Sequence, residues 1–231
     1  MRQLPLGVRL RGQASFDSFH AARNGVAVDT LQQLAAGRQQ GMFWLAGPAA
    51  SGKSHLLQAV YVAAAQARRA AYLPLRTLLP GGPAVLSGWQ DARCVCVDDV
   101  DAVLGQLPWE GGLFNLYREI DEAGGSLLLS AGAAPLAQRF ALPDLGSRCA
   151  QALLLTLAPM DEDDQRRALQ RHAQARGLEL PDDTANYLLR RAPRDMERLC
   201  ALLETLDVAA LQAQRRLTIP LAREVLEREA R

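Results

Sequence analysis

Gly47-Pro48-Ala49-Ala50-Ser51-Gly52-Lys53-Ser54 fits the spacing G-x-x-x-x-G-K-[ST] without a mismatch, the pattern of a loop that cradles polyphosphate. The glycines let backbone N–H groups turn inward around the β-phosphate, and a helix starting at the end of the loop adds its partial positive charge. Lys53 is then placed to reach the β- and γ-phosphate oxygens, and the Ser54 hydroxyl is a Mg²⁺ ligand. A phosphate-bridging Mg²⁺ needs a second anchor at the end of a neighbouring strand. Cys94-Val95-Cys96-Val97 running into Asp98-Asp99 supplies one. In this Walker B arrangement Asp98 holds Mg²⁺ through its water shell and Asp99 orients an attacking water. The alternative is a helix cap or turn, since residues 99–101 open a new segment. Ser130 closes another apolar run, Ser126 to Ser130. It is placed either to bond a γ-phosphate or attacking water, or simply to make a turn.

These groups need strands and helices to hold them. Met42 to Ala46 is a short apolar run stopping at Gly47-Pro48, and it predicts a buried strand entering a loop. Residues 54–69 carry Leu56, Leu57, Val60, Ala63 and Ala64 at three and four spacing and predict a helix. Strands are predicted at 71–75, at an edge because of Pro74, and at 94–97 and 126–130. Helices are predicted at 29–36 and 113–122. Strands alternating with helices indicate a parallel sheet flanked by helices. From Asp161 on the strand signal ends, and helices fill about 161–176, 182–191, 193–213 and 220–230. The expected organisation is a tail at 1–15, a nucleotide-binding α/β core at 16–158 and a small all-helical lid at 159–231.

Composition bounds the function. At 231 residues, 49% hydrophobic and 22% charged, the chain has ordinary globular content, and no apolar run approaches the ~18 residues of a membrane span. The start carries no secretory pattern, so the expectation is a cytoplasmic protein with no membrane partner. A formal charge of +1 argues against a strongly basic nucleic-acid footprint. Cys94, Cys96, Cys149 and Cys200 have no CxxC spacing and read as reduced thiols, not metal ligands. Of the 26 basic residues only Lys53 is lysine, a compact ammonium among arginines. His20, His55 and His172 show no catalytic arrangement. Arg194 follows Pro193 at a helix start, where a cation opposes the helix dipole. Asp195 or Glu197 offsets that cost, or a phosphate does.

Three further stretches add to these motifs: Gln3-Leu4-Pro5-Leu6, Leu142-Pro143-Asp144-Leu145-Gly146-Ser147-Arg148, and Arg216-Leu217-Thr218-Ile219-Pro220. With them the chain resembles, over essentially its whole length, the AAA+ ATPases and among these the DnaA-related family, in most detail the regulatory inactivators of the replication initiator DnaA. The resemblance implies an AAA+ core and lid that bind ADP or ATP with Mg²⁺. It implies that Arg148, which pattern alone does not single out, is an arginine finger presented in trans to the nucleotide of DnaA. It likewise implies that Arg194 is the sensor-2 arginine reading this chain's own nucleotide, and that the segment from Phe16 to Phe19 packs beside the adenine, Phe19 included.

Gln3, Leu4 and Leu6 are similar to the short peptide by which replication proteins dock on the β sliding clamp, the DNA polymerase III β subunit. An amide suits one pocket and alternate leucines an apolar groove. DNA is then met only indirectly, through the clamp. The implied function is stimulation of DnaA-bound ATP hydrolysis on the DNA-loaded clamp, which prevents re-initiation of replication; a homo-oligomer stays open. Two departures, Asp99 where generic AAA+ ATPases use Glu and Gly132 where DnaA-like chains often carry Asp, point to weak intrinsic turnover and to a bound nucleotide, ADP before ATP, that holds one geometry. The competing readings are an autonomous AAA+ ATPase of the helicase-loader type and a clamp adaptor whose phosphate loop is vestigial.

Overall fold

A computed structural model describes residues 14–191, 196–213 and 217–229 of the chain. It divides into two compact units: one takes in Arg23–Ala158 with the residues up to Phe16, the other Asp17–Ala22 with the chain from Pro159 on.

The first unit is an α/β layer structure. Its elements in order are α1 (Gly25–Ala35), β1 (Gly41–Ala46), α2 (Lys53–Ala65), β2 (Ala70–Pro74), α3 (Leu75–Leu78), β3 (Cys94–Asp98), α4 (Leu107–Glu122), β4 (Ser126–Ala131), α5 (Pro143–Ala150) and β5 (Leu153–Thr156). All strand pairs are parallel, in the order β2-β3-β4-β1-β5. Strands covered on both faces must be apolar throughout, which is why β1, β3 and β4 read as continuous hydrophobic runs. β2 lies at an edge, where Pro74, lacking an N–H, is tolerated.

Alternation along each strand sorts the side chains into two cores. Trp44, Leu73, Val95, Val97, Leu127 and Leu129 pack with Trp109, Leu113, Leu116 and Ile120 of α4 and with Leu145 and Cys149 of α5. Residues of opposite parity face α2, as the Tyr61–Tyr72 ring pair shows, with centroids 6.4 Å apart. Trp44 also donates its indole N–H to the carbonyl of Ala133 at 2.9 Å, tying β1 to the loop after β4.

α4 begins at Leu107, six residues before its predicted start. Gly111-Gly112 hides its N-terminal half in sequence, yet a Cβ at Gly112 would stand 3.0 Å from Leu86 Cδ1, so close packing explains the missing side chain. α5 and β5 are short elements without a clear period, and neither is among the elements predicted from sequence.

The second unit is helical: α6 (Glu162–Gln174), α7 (Asp182–Arg191), α8 (Met196–Ala213) and α9 (Ile219–Glu229). Its core is a leucine cluster of Leu169, Leu188, Leu199, Leu203 and Leu206 with Leu217 and Val225. α6 opens on a capping box in which the Asp161 carboxylate accepts from Asp164 N–H and the Asp164 carboxylate from Asp161 N–H. Asp17–Ala22 joins this unit because Arg171 donates to the carbonyl of Phe19 at 3.0 Å and His20 Nε2 lies 3.3 Å from Asp164 Oδ1. Among the described residues no helix is long and apolar enough to cross a membrane.

Candidate nucleotide-binding site

In a parallel sheet all strand ends of one kind lie along one edge, where such folds place their sites. β1 runs off that edge into the loop from Gly47 to Gly52. Register sets Leu45 beside Ser130 and Val97 beside Leu129, so Asp98 emerges next to Ser130. The structure thus brings Gly47, Gly52, Lys53, Ser54, Asp98, Asp99 and Ser130 to the same edge of one unit.

The loop has the form a polyphosphate requires. Gly52 caps α2 in the left-handed region, at φ +93°. A Cβ at Gly47 would lie 2.7 Å from Ser51 Oγ and 3.1 Å from Leu157 Cβ, so only glycine fits that turn. Ser51 Oγ is buried with no hydrogen-bond partner, a polar atom that phosphate oxygens suit. Lys53 Nζ donates to the carbonyls of Gly47 and Pro48, each at 2.8 Å, which holds the ammonium over its own loop at the start of α2. Ser54 follows in the first turn, partly exposed. These features fit a nucleotide's phosphates, and Ser54 and Asp98 are the oxygen groups that could hold a Mg²⁺ bound with them.

Asp98 is buried and accepts two side-chain hydrogen bonds. Tyr72 donates its hydroxyl to Oδ2 at 2.7 Å, Ser130 donates to Oδ1, and Gln58 Nε2 donates to the Tyr72 oxygen at 3.2 Å. Ser130 also accepts from the backbone N–H of Asp99 at 3.0 Å, so one hydroxyl orients both aspartates. A carboxylate has about four lone-pair directions, and two accepted bonds leave room for a metal-bound water.

Asp99 sits at φ +58°, outside the usual range for an aspartate, and its Oδ2 lies 3.1 Å from Arg76 Nε on α3. Burial pushes its carboxyl up from the ordinary range, the neighbouring Asp98 adds to this, and Arg76 opposes it. Two residues on, Asp101 Oδ2 accepts from Gly132 N–H at 3.2 Å. A Cβ at Gly132 would lie 3.3 Å from that oxygen, a close approach that a small shift of the Asp101 carboxylate would relieve.

Arg148 does not join this group. It lies in the last turn of α5, exposed, with its guanidinium carbon 5.9 Å from the centroid of the Tyr117 ring on α4. Phe19 is buried in the helical unit. Gln3, Leu4, Leu6 and Arg194 lie outside the described residues.

Tyr72, Gln58 and Arg76 were not picked out by sequence reasoning. Period-two alternation could have found Tyr72, because register sets it beside Cys96 on the face that carries Asp98. Nothing in the sequence marks Arg76 among so many arginines.

Comparisons with known proteins agree with this architecture. A family model described as "Hda, lid domain" matches residues 161–226. An uncharacterized protein of Haemophilus influenzae is 37% identical over 229 residues, covering 97% of this chain and 98% of its own. Domain III of the replication initiation protein DnaA from Thermotoga maritima is similar in structure, with a TM-score of 0.76 at 19% identity over 94% of this chain and 97% of that one. AMPPCP-bound DnaA from Aquifex aeolicus matches with a TM-score of 0.67 at 16% identity, over 88% of this chain and 68% of that one.

Proposed function

This chain belongs to the Hda-like, DnaA-related AAA+ proteins, and from that membership we propose that it is a nucleotide-holding regulator that activates the ATPase of DnaA. In this reading the chain is cytoplasmic and docks on the DNA-loaded β sliding clamp through Gln3, Leu4 and Leu6. It presents Arg148 to the ATP held by DnaA, and the resulting ADP–DnaA no longer initiates replication.

The observation that carries the reading is the exposure of Arg148 on a helix of its own, supported by a ring instead of paired with the Lys53, Asp98 and Asp99 group. A guanidinium so placed is available to a neighbour's γ-phosphate, where it offsets negative charge that grows in the transition state, an effect worth about 10³–10⁵ in rate. The chain's own residues do quieter work. The glycine-formed loop and Lys53 hold a nucleotide, ADP before ATP, while Asp98 and Ser54 face its Mg²⁺, which when bound neutralises the phosphates. Asp99 is the residue that would orient water, and Arg76 engages its carboxylate. That ion pair favours slow turnover by this chain. Arg194 is assigned to reading the nucleotide held here, and Phe19 to the adenine side.

An autonomous ATPase of the helicase-loader type remains the competing reading, favoured by the completeness of Lys53, Ser54 and Asp98. Arg148→Ala separates the two. It should leave nucleotide and clamp binding intact yet abolish stimulation of DnaA-bound ATP hydrolysis; full stimulation by the variant would remove the finger assignment. Changing Gln3 and Leu4 together to Ala should eliminate clamp pull-down without moving the melting temperature, and retained pull-down would refute the docking role of the tail.

A further inference from the structure

Glu110 has no part in nucleotide chemistry, yet it is the most completely buried acid described, with no exposed surface at all. A carboxylate stays out of water only where its lone pairs are met. Here three backbone donors meet it: Gly105 N–H at 2.6 Å and Ala141 N–H at 3.0 Å on Oε1, and Leu142 N–H at 2.6 Å on Oε2. Two of these donors are the last N–H groups before Pro143 opens α5, the helix that carries Arg148 in its last turn. Glu110 itself stands in the first turn of α4. One acid therefore pins the entry of one helix to the start of another.

Seven residues along, two helical turns and so on the same stripe of α4, stands Tyr117, with Phe114 between them. Its ring lies beside Phe114, centroids 6.5 Å apart, and under the guanidinium of Arg148. α5 has little freedom to shift between these two points. Leu145 and Cys149 are buried on its inner face, and Gly146 lies so near Phe140 that a Cβ there would come within 3.1 Å of the ring.

We propose that α4 is the bracket that aims Arg148, with Glu110 fixing the backbone entry to α5 and Tyr117 supporting the guanidinium, so that both are positioning residues for catalysis in trans. The inference rests on the finger reading given above. An arginine side chain is long and loses rotamer freedom when it docks, and a preoriented one loses less; the gain belongs to the rate of the bound complex, not to its affinity.

The test is hydrolysis of DnaA-bound ATP on clamp-loaded DNA, titrated with this chain to saturation, so that the maximal rate and the half-saturating concentration are read separately. Tyr117→Leu should lower the maximal rate about two- to fivefold, the worth of an exposed cation–π contact, at an unchanged half-saturating concentration. Tyr117→Phe, which keeps the ring, should restore it. Glu110→Gln, which replaces one accepting oxygen with a donor, should lower the maximal rate further while the chain still binds ADP.

A full maximal rate with Tyr117→Leu, or with a folded, ADP-binding Glu110→Gln, overturns the inference when Arg148→Ala in the same assay is inactive; the finger reading then stands alone. Full activity of Arg148→Ala removes both. If Glu110→Gln does not fold, the two Tyr117 variants decide.

Discussion

At the scale of single residues, the site depends on how buried oxygens are satisfied. The Asp98 carboxylate is held beside the phosphate loop by the hydroxyls of Tyr72 and Ser130, which donate to it, and Tyr72 is in turn held by Gln58. Tyr72→Phe removes one donor from a buried carboxylate and should cost about 1–3 kcal/mol in urea unfolding, with weakened Mg²⁺-dependent nucleotide binding. Unchanged stability would mean that the hydroxyl is dispensable to Asp98. Lys53, Ser54 and Asp98 were picked out in the sequence by motif spacing, and the structure brings them to one sheet edge. Tyr72 and Glu110 were not, because Asp98, the acceptor of Tyr72, and Ala141 and Leu142, donors to Glu110, lie 26 to 32 residues away and only strand register and helix packing bring them together. In sequence, Glu110 lies before the helix predicted at 113–122; the fold instead places it in the first turn of α4 and seals it against the entry to α5.

At the scale of elements, periodicity found the long helices and the apolar strands and misplaced their ends. α2 stops at Ala65, short of the predicted 69, and α4 starts early across two glycines that sequence preferences read as a break. Packing overrode propensity in α4, where Trp109, Leu113, Leu116 and Ile120 are all buried.

In the helical unit α6 and α7 are joined by Arg166, which bonds Asp163 at 2.9 Å and Asp182 at 3.1 Å. Arg166 holds the Asp163 carboxyl below the ordinary range, and Gln170 first and Arg166 second do the same for Asp182. Folded values below unfolded ones mean that this contribution is fully present above the ordinary carboxylate pKa, about 3.9, and is lost as pH falls through the depressed folded values. Arg166→Ala should therefore lower the melting temperature modestly at pH 7, and the difference from wild type should close under acid. A difference that persists unchanged below about pH 2 would assign the effect to lost packing of the arginine stem instead.

For the whole molecule, the proposed division of labour is between holding a nucleotide and acting on the one held by DnaA. The phosphate loop, the aspartates and the start of α2 share one sheet edge, and Arg148 stands on α5 outside that group. The motif-bearing half of this arrangement was legible, as was the change to an all-helical end. Arg148 was singled out only through resemblance, since a lone exposed arginine carries no periodicity or spacing; its contact with the Tyr117 ring needed the fold.

The most direct measurement is turnover of ATP already bound to DnaA in the presence of this chain, the β clamp and DNA, with each omitted in turn. The expected result is accelerated hydrolysis only in the complete mixture, alongside slow ATP turnover by the chain alone whether or not DNA is added. The contrary result is brisk, DNA-stimulated turnover by the chain without DnaA, together with no effect on DnaA-bound ATP.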